Sequence, residues 1–199
     1  MKRVIPLLAF AVAAAAATLT QGERDFAMSH LHASRKLFLD AVAGLSEAQW
    51  KFKPAPDRWS IAECAEHIVL TEDAIFQLVT EKILKSPPAA DLPRATRADD
   101  EQLIRRLKDR RQRAQAPEFL RPSGRWPSRE SLIEHFKQSR DRTIAFVEAT
   151  QEDLRVHVAP HPVREHMDAY QWLLLLAAHA ERHTAQIEEI KADPKFPRH

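Results

Sequence analysis

The stretch DAYQWLLLLAAHAERHTAQIEEI, residues 168–190, reads as one long amphipathic helix. Asp168 and Gln171 form a capping box, so the helix opens at Asp168. Trp172, Leu176, His179, His183, Ile187 and Ile190 recur at spacings of three and four and therefore share one face. Two members of that face are imidazoles one turn apart, a spacing at which both can hold one divalent ion. Buried without partners between Leu176 and Ile187, two neutral rings would cost about 1–3 kcal/mol each, and an ion would satisfy one nitrogen of each. On spacing alone, a pair of partly exposed histidines fits equally well.

Working outward, the thirteen prolines divide the chain, because proline breaks helix interiors. They cluster at Pro54 and Pro56, from Pro87 to Pro93, from Pro117 to Pro127, at Pro160 and Pro162, and at Pro194 and Pro197. The gaps hold the helices. The first spans about 21–43, with an apolar stripe of Phe26, Leu31, Leu37, Phe38 and Val42. The second runs from Ser60 to about Lys85 through Ile68, Ile75 and Leu78; Ser60 and Glu63 form its capping box, with Trp59 outside as a staple. The third opens at Ser128, with Leu132, Phe136, Thr143 and Val147 on its core side. Residues 97–114 are helical in pattern but charged throughout, with only Leu103, Ile104 and Leu107 to dock them. The expected fold is all-α: a four-helix bundle whose long crossover between the second and third helices carries this short polar helix.

Composition supports that class. The 199 residues are 44% hydrophobic and 29% charged, within the range of globular proteins. Only Gly22, Gly44 and Gly124 occur as glycines, which argues against sheet architectures and phosphate-cradling loops. Lys2 and Arg3 precede an alanine-rich apolar run from Val4 to Ala17, and Ala15 and Ala17 give a small-x-small cleavage pattern. Residues 1–20 therefore read as a signal peptide, 21–193 as the bundle domain and 194–199 as a tail. The expected location is periplasmic or secreted, with no stable membrane insertion after cleavage. Lys2 and Arg3 account for the whole formal excess of +2, so the mature chain is balanced and nucleic acid is not implied. The lone Cys64 allows no intrachain disulfide and lies far from any lipoprotein cleavage point.

His67, in the middle of the second helix, is a candidate third ligand, since bundle metal sites are built from facing helices. A satisfied core histidine fits that position equally well. The run from Trp59 to Ile68, WSIAECAEHI, resembles the start of the second helix in the DinB-like superfamily, the DinB/YfiT type of metal-dependent hydrolases. Gln171-Trp172-Leu173, with His179, Arg182, His183, Gln186 and Ile187, is similar to the family's last helix. The segments Ala116-Pro117-Glu118 and Arg121 to Trp126 also look typical of it. The resemblance covers about residues 26–191. It implies a four-helix bundle with a three-histidine divalent site, commonly nickel or zinc, whose ligands here are His67, His179 and His183. It also implies a homodimer, although no interface stripe stands out. One departure is the run Val163 to Met167 after His161-Pro162, where members often carry an aromatic-glycine pair; this loop is expected to border the site.

Three protein ligands leave open positions on a metal, which suits hydrolysis of a small molecule. A thiol transferase would use the same open positions, and a non-catalytic metal-binding or partner-binding bundle needs none. No general base stands out. Glu63 is explained as a cap, Glu66 and Glu181 point away from the ligand faces, and Cys64 reads as a small buried hydrophobe. Trp59 and Trp172 read as core packing, Arg182 as an ion-pair partner, and His161 and His166 as loop residues able to line the mouth.

Overall fold

Reciprocal capping boxes open the helices. Thr20 with Glu23 opens α1 (Gln21–Val42), and Ser46 with Gln49 opens the short α2 (Glu47–Lys51). Ser60 with Glu63 opens α3 (Ile61–Leu78), and Thr96 with Asp99 opens α4 (Arg97–Lys108). Ser128 with Ser131 opens α5 (Arg129–Ala149), and Asp168 with Gln171 opens α6 (Ala169–Lys191). Each box satisfies backbone N–H groups that the first turn leaves without partners. The computed structural model describes residues 18–89, 91–111, 115–161 and 164–198. Of the expected signal peptide, residues 1–17 lie outside the described residues, whereas Leu19 is buried in the core and Thr20 caps α1, so these two belong with the bundle. Among those described, no helix is long and apolar enough to cross a membrane.

The four long helices α1, α3, α5 and α6 form a bundle, as expected. α1 packs between α5 and α6, and α3 packs between the same two. The cyclic order is therefore α1, α5, α3, α6, so α1 lies diagonal to α3 and α5 diagonal to α6. The second helix ends its α-helical course at Leu78 and continues as a π-helical turn, Val79–Ile83. The core side of α5 is as expected, with Leu132, Phe136, Thr143 and Val147 buried. On α1 the stripe is displaced: Leu37 is 49% exposed, while Ala27, Leu31, Ser34, Phe38, Ala41 and Val42 face inward.

Two apolar clusters fill the bundle, one around Leu31, Ile75, Ile144 and Leu173 and the other around Phe38, Ile68, Phe136 and Ala180. Between them runs a buried polar layer. The Arg140 guanidinium on α5 makes a two-pronged pair with Glu72 on α3, its Nε lying 2.9 Å from Oε2. It also donates to the Leu31 carbonyl (2.8 Å) and the Ser34 hydroxyl (2.5 Å) on α1, and to the Leu176 carbonyl (3.5 Å) on α6. One side chain thus ties all four long helices at one level. His179 occupies that level on α6, between Ala178 of the first cluster and Ala180 of the second.

The polar helix α4 is docked more firmly than its composition suggests. Leu103 and Ile104 are buried as expected, but so is Asp100. Its carboxylate accepts from Arg155 (2.7 and 3.1 Å) and Gln171 (3.1 Å), and Arg155 also reaches Asp168 at 3.0 Å. Arg182 donates to the Leu107 (3.2 Å) and Asp109 (2.6 Å) carbonyls, filling acceptors that the end of α4 leaves open. These bonds give Arg182 a capping role that its sequence position does not reveal.

Two small elements are absent from the sequence reading. Helix α2 packs on α3, and β1 (Val158–His161) pairs antiparallel with β2 (Arg164–Asp168). The ladder shifts register between Ala159 and His161, at Pro160, which has no N–H to give it.

Candidate metal centre

His67, His179 and His183 converge. Each offers one ring nitrogen, and the three nitrogens lie within 4.8 Å of one another. The ring centroids form a near-equilateral triangle of 4.8 Å (67–179), 4.7 Å (67–183) and 4.5 Å (179–183). The α6 pair supplies one edge because positions four apart stack on one helix face, and the packing of α3 on α6 supplies the third corner. Among the described residues, no carboxylate or thiol joins the group.

Two outer contacts fix the tautomers. His67 Nδ1 lies 2.8 Å from the Leu120 carbonyl oxygen, an acceptor only, so Nδ1 carries the proton and Nε2 keeps its lone pair. His183 Nδ1 lies 3.0 Å from Gln186 Oε1, with the same consequence. Arg110 donates to that Gln186 oxygen at 3.4 Å and to Glu189 at 2.6 and 2.7 Å, which fixes the amide's direction. The bare Nε2 of His67 faces His179 Nε2 at 3.0 Å.

The site keeps its imidazoles neutral. Burial, then the neighbouring His67, pushes His183 down to about 3, against the bond to Gln186. His179 lies well below the ordinary histidine range, through burial first and then through His183 and His67. Burial also lowers His67, against the bond to the Leu120 carbonyl. Neutral imidazoles are the form that coordinates metal, and three nitrogen donors, two of them with an anchored outer nitrogen, fit a borderline divalent ion.

The surrounding residues sort as follows. Trp59 packs against the second apolar cluster, as expected, and also forms a wall of the site: its ring lies 4.9 Å from His67 and 6.1 Å from His183. Trp172 is buried in the first apolar cluster, as expected. Glu63 caps α3 and pairs with Lys53 at 2.8 Å, and Glu181 pairs with His30 and Lys108. Neither His161 nor His166 of the hairpin joins the three-histidine group. His161 packs edge-on against Trp172 at 5.0 Å, seven residues and about 10 Å of helical rise before His179. Pro162 and Val163 lie outside the described residues.

A second grouping, Asp73, His135 and Ser139, has triad composition but not triad geometry. Asp73 contacts both His135 Nε2 and Ser139 Oγ at 2.6 Å. The hydroxyl therefore donates to the carboxylate rather than to the imidazole that would have to take its proton.

Cys64 is fully buried in the second cluster, and burial pushes its thiol up to about 12. It therefore supplies no thiolate near neutral pH. Folded protein incubated with iodoacetamide at about pH 8 should remain unmodified by intact mass, and the same protein in denaturant should gain one adduct. Modification of the folded chain at the rate of an exposed thiol would contradict the burial.

The fold and the site define a class: helical bundles with a three-imidazole centre. Residues 30–187 match the DinB superfamily, and the chain belongs to it. It is 25% identical over 164 residues to the uncharacterized protein YuaE of Bacillus subtilis (strain 168), covering 82% of this chain and 96% of that one. Its fold resembles that of YfiT from Bacillus subtilis, described as a probable metal-dependent hydrolase with an unusual four-helix bundle topology. That likeness has a TM-score of 0.54 at 14% identity and covers 87% of this chain and 89% of the other.

Proposed function

We propose that this protein is a metal-dependent hydrolase of a small molecule, exported by its N-terminal leader and using zinc or nickel at His67, His179 and His183. The observation that carries this reading is the convergence of three neutral imidazoles, two of them with Nδ1 committed to an outer acceptor. The description of the structurally similar YfiT adds support. A divalent ion held by three imidazoles supplies Lewis acidity and lowers the pKa of a water in its open position. The chain's own contribution is to aim the donors, to keep them unprotonated and to wall one side with Trp59.

The test is a panel of ester, amide and phosphoester substrates, run on protein purified with its native metal, after chelation, and after restoring zinc or nickel. At least one class should turn over, stop on chelation and resume with metal. Protein that holds stoichiometric metal yet hydrolyses no member of the panel would refute the hydrolase assignment.

A further inference from the structure

Residues 115–126 form a strap over α3, and it is attached to two consecutive residues. One attachment is the Leu120 carbonyl, which accepts from His67 Nδ1 at 2.8 Å. The other is Glu66, whose side chain is absent from every feature of the site described so far. Its carboxylate is buried, at 6% exposure, and accepts three backbone N–H groups: Ser123 at 2.9 Å, Gly124 at 2.9 Å and Arg125 at 3.0 Å. Three N–H donors aimed at one carboxylate make a nest that compensates the buried charge. Forming the nest requires Gly124 at φ +76, a conformation that side-chain-bearing residues rarely adopt.

Leu120 is three residues from the nest. Only two residues separate them, Leu120 itself closes the helical turn Glu118–Leu120, and Arg125 of the nest reaches back to the Phe119 carbonyl at 3.4 Å. Holding residues 123–125 therefore holds the Leu120 carbonyl, and that carbonyl decides which nitrogen of His67 carries the proton. Without it, His67 can take the other tautomer, with Nε2 protonated and unable to coordinate.

We infer that Glu66 is a positioning residue for the metal centre, acting through the strap to lock His67 with Nδ1 protonated and Nε2 free. This rests on reading the three histidines as a metal site. The ordinary explanation of Glu66, loop anchoring, accounts for the three bonds. It does not account for their placement on the residue next to a ligand, or for the strap's second attachment falling on that ligand.

Two variants test it in the full-length protein. Glu66→Gln replaces one acceptor oxygen with a donor that opposes the nest. Gly124→Ala strains the nest without touching α3. In metal-free protein, long-range proton–nitrogen NMR of the imidazoles should show His67 as a single Nδ1–H tautomer in the parent and a mixture in both variants. Cobalt affinity, measured by chelator competition, should fall about 10–100-fold in each, the range for loss of an outer partner of a ligating histidine. A purely anchoring role would lower the urea midpoint and leave both tautomer and affinity unchanged, and that result would overturn the inference. If Glu66→Gln does not fold, Gly124→Ala decides the question alone. A parent protein that binds no cobalt, zinc or nickel overturns the metal reading, while the tautomer measurement still judges the strap.

Discussion

His179→Ala strips the divalent ion and leaves the bundle standing. The imidazole it removes is one of three donors, and its Nε2 sits 3.0 Å from that of His67. What remains is His67 and His183 with water, a weaker set, so the loss should exceed the roughly 10–100-fold expected of an outer partner. The fold should survive, because the buried face of α6 around the substitution is aliphatic: Leu173, Leu174, Leu176, Ala177, Ala178, Ala180 and Ile187 keep their contacts. Far-UV circular dichroism should therefore match the parent, while elemental analysis finds no bound metal. Added zinc should raise the melting temperature of the parent, since an ion that binds only the folded state stabilises it, and should leave the variant where it is. His67→Ala should behave the same way from the other helix. Stoichiometric metal in either variant would remove that residue from the ligand set.

How far the site could be read from the sequence differs residue by residue. His179 and His183 were legible because a helix converts a spacing of four into adjacency and because apolar neighbours marked their face. His67 was not legible on those grounds. Its distance from His179 in the chain carries no periodic signal, and only the resemblance of the WSIAECAEHI run singled it out. The helices themselves were legible from prolines and caps, which act locally, and the boxes predicted at Ser60 and Asp168 are both formed.

What escaped was polar and long-range. Arg140 and Glu72 are 68 positions apart, and Arg155 and Asp100 are 55 apart. In a sequence each is one more charged residue in a charged helix, and such residues are solvent-facing by default. Asp100 is such a case: it belongs to a charged stretch, yet it is 1% exposed. Glu66 escaped for a related reason: its partners are backbone N–H groups, which every residue but proline has. The one local hint was Pro122-Ser123-Gly124, a turn signal whose glycine does adopt positive φ.

The buried pair sets the second large expectation. Arg140→Ala should lower unfolding free energy by about 3–5 kcal/mol, the range for removing one member of a buried ion pair. The cause is the group left behind: Glu72, 1% exposed, loses its cationic partner, and the Leu31 carbonyl and Ser34 hydroxyl lose a donor. Against a typical domain stability of about 5–15 kcal/mol, that loss is large enough to unfold a fraction of the chain at ambient temperature. Replacing both members, Arg140→Met with Glu72→Met, removes the orphaned carboxyl group and joins the two apolar clusters, so it should recover most of the loss. Urea titration of the parent, the single and the double variant measures both steps. A single variant within about 1 kcal/mol of the parent would show that Glu72 is relieved in some other way. A double variant as unstable as the single would show that the hydrogen bonds to α1 and α6, rather than the Glu72 charge, hold the helices at this level. In either case the layer bears only weakly on the protonation of the metal centre. Burial is the first cause of His179 neutrality and Arg140 the last of those acting on it, so removing Arg140 and Glu72 together, one charge of each sign, should leave that imidazole neutral.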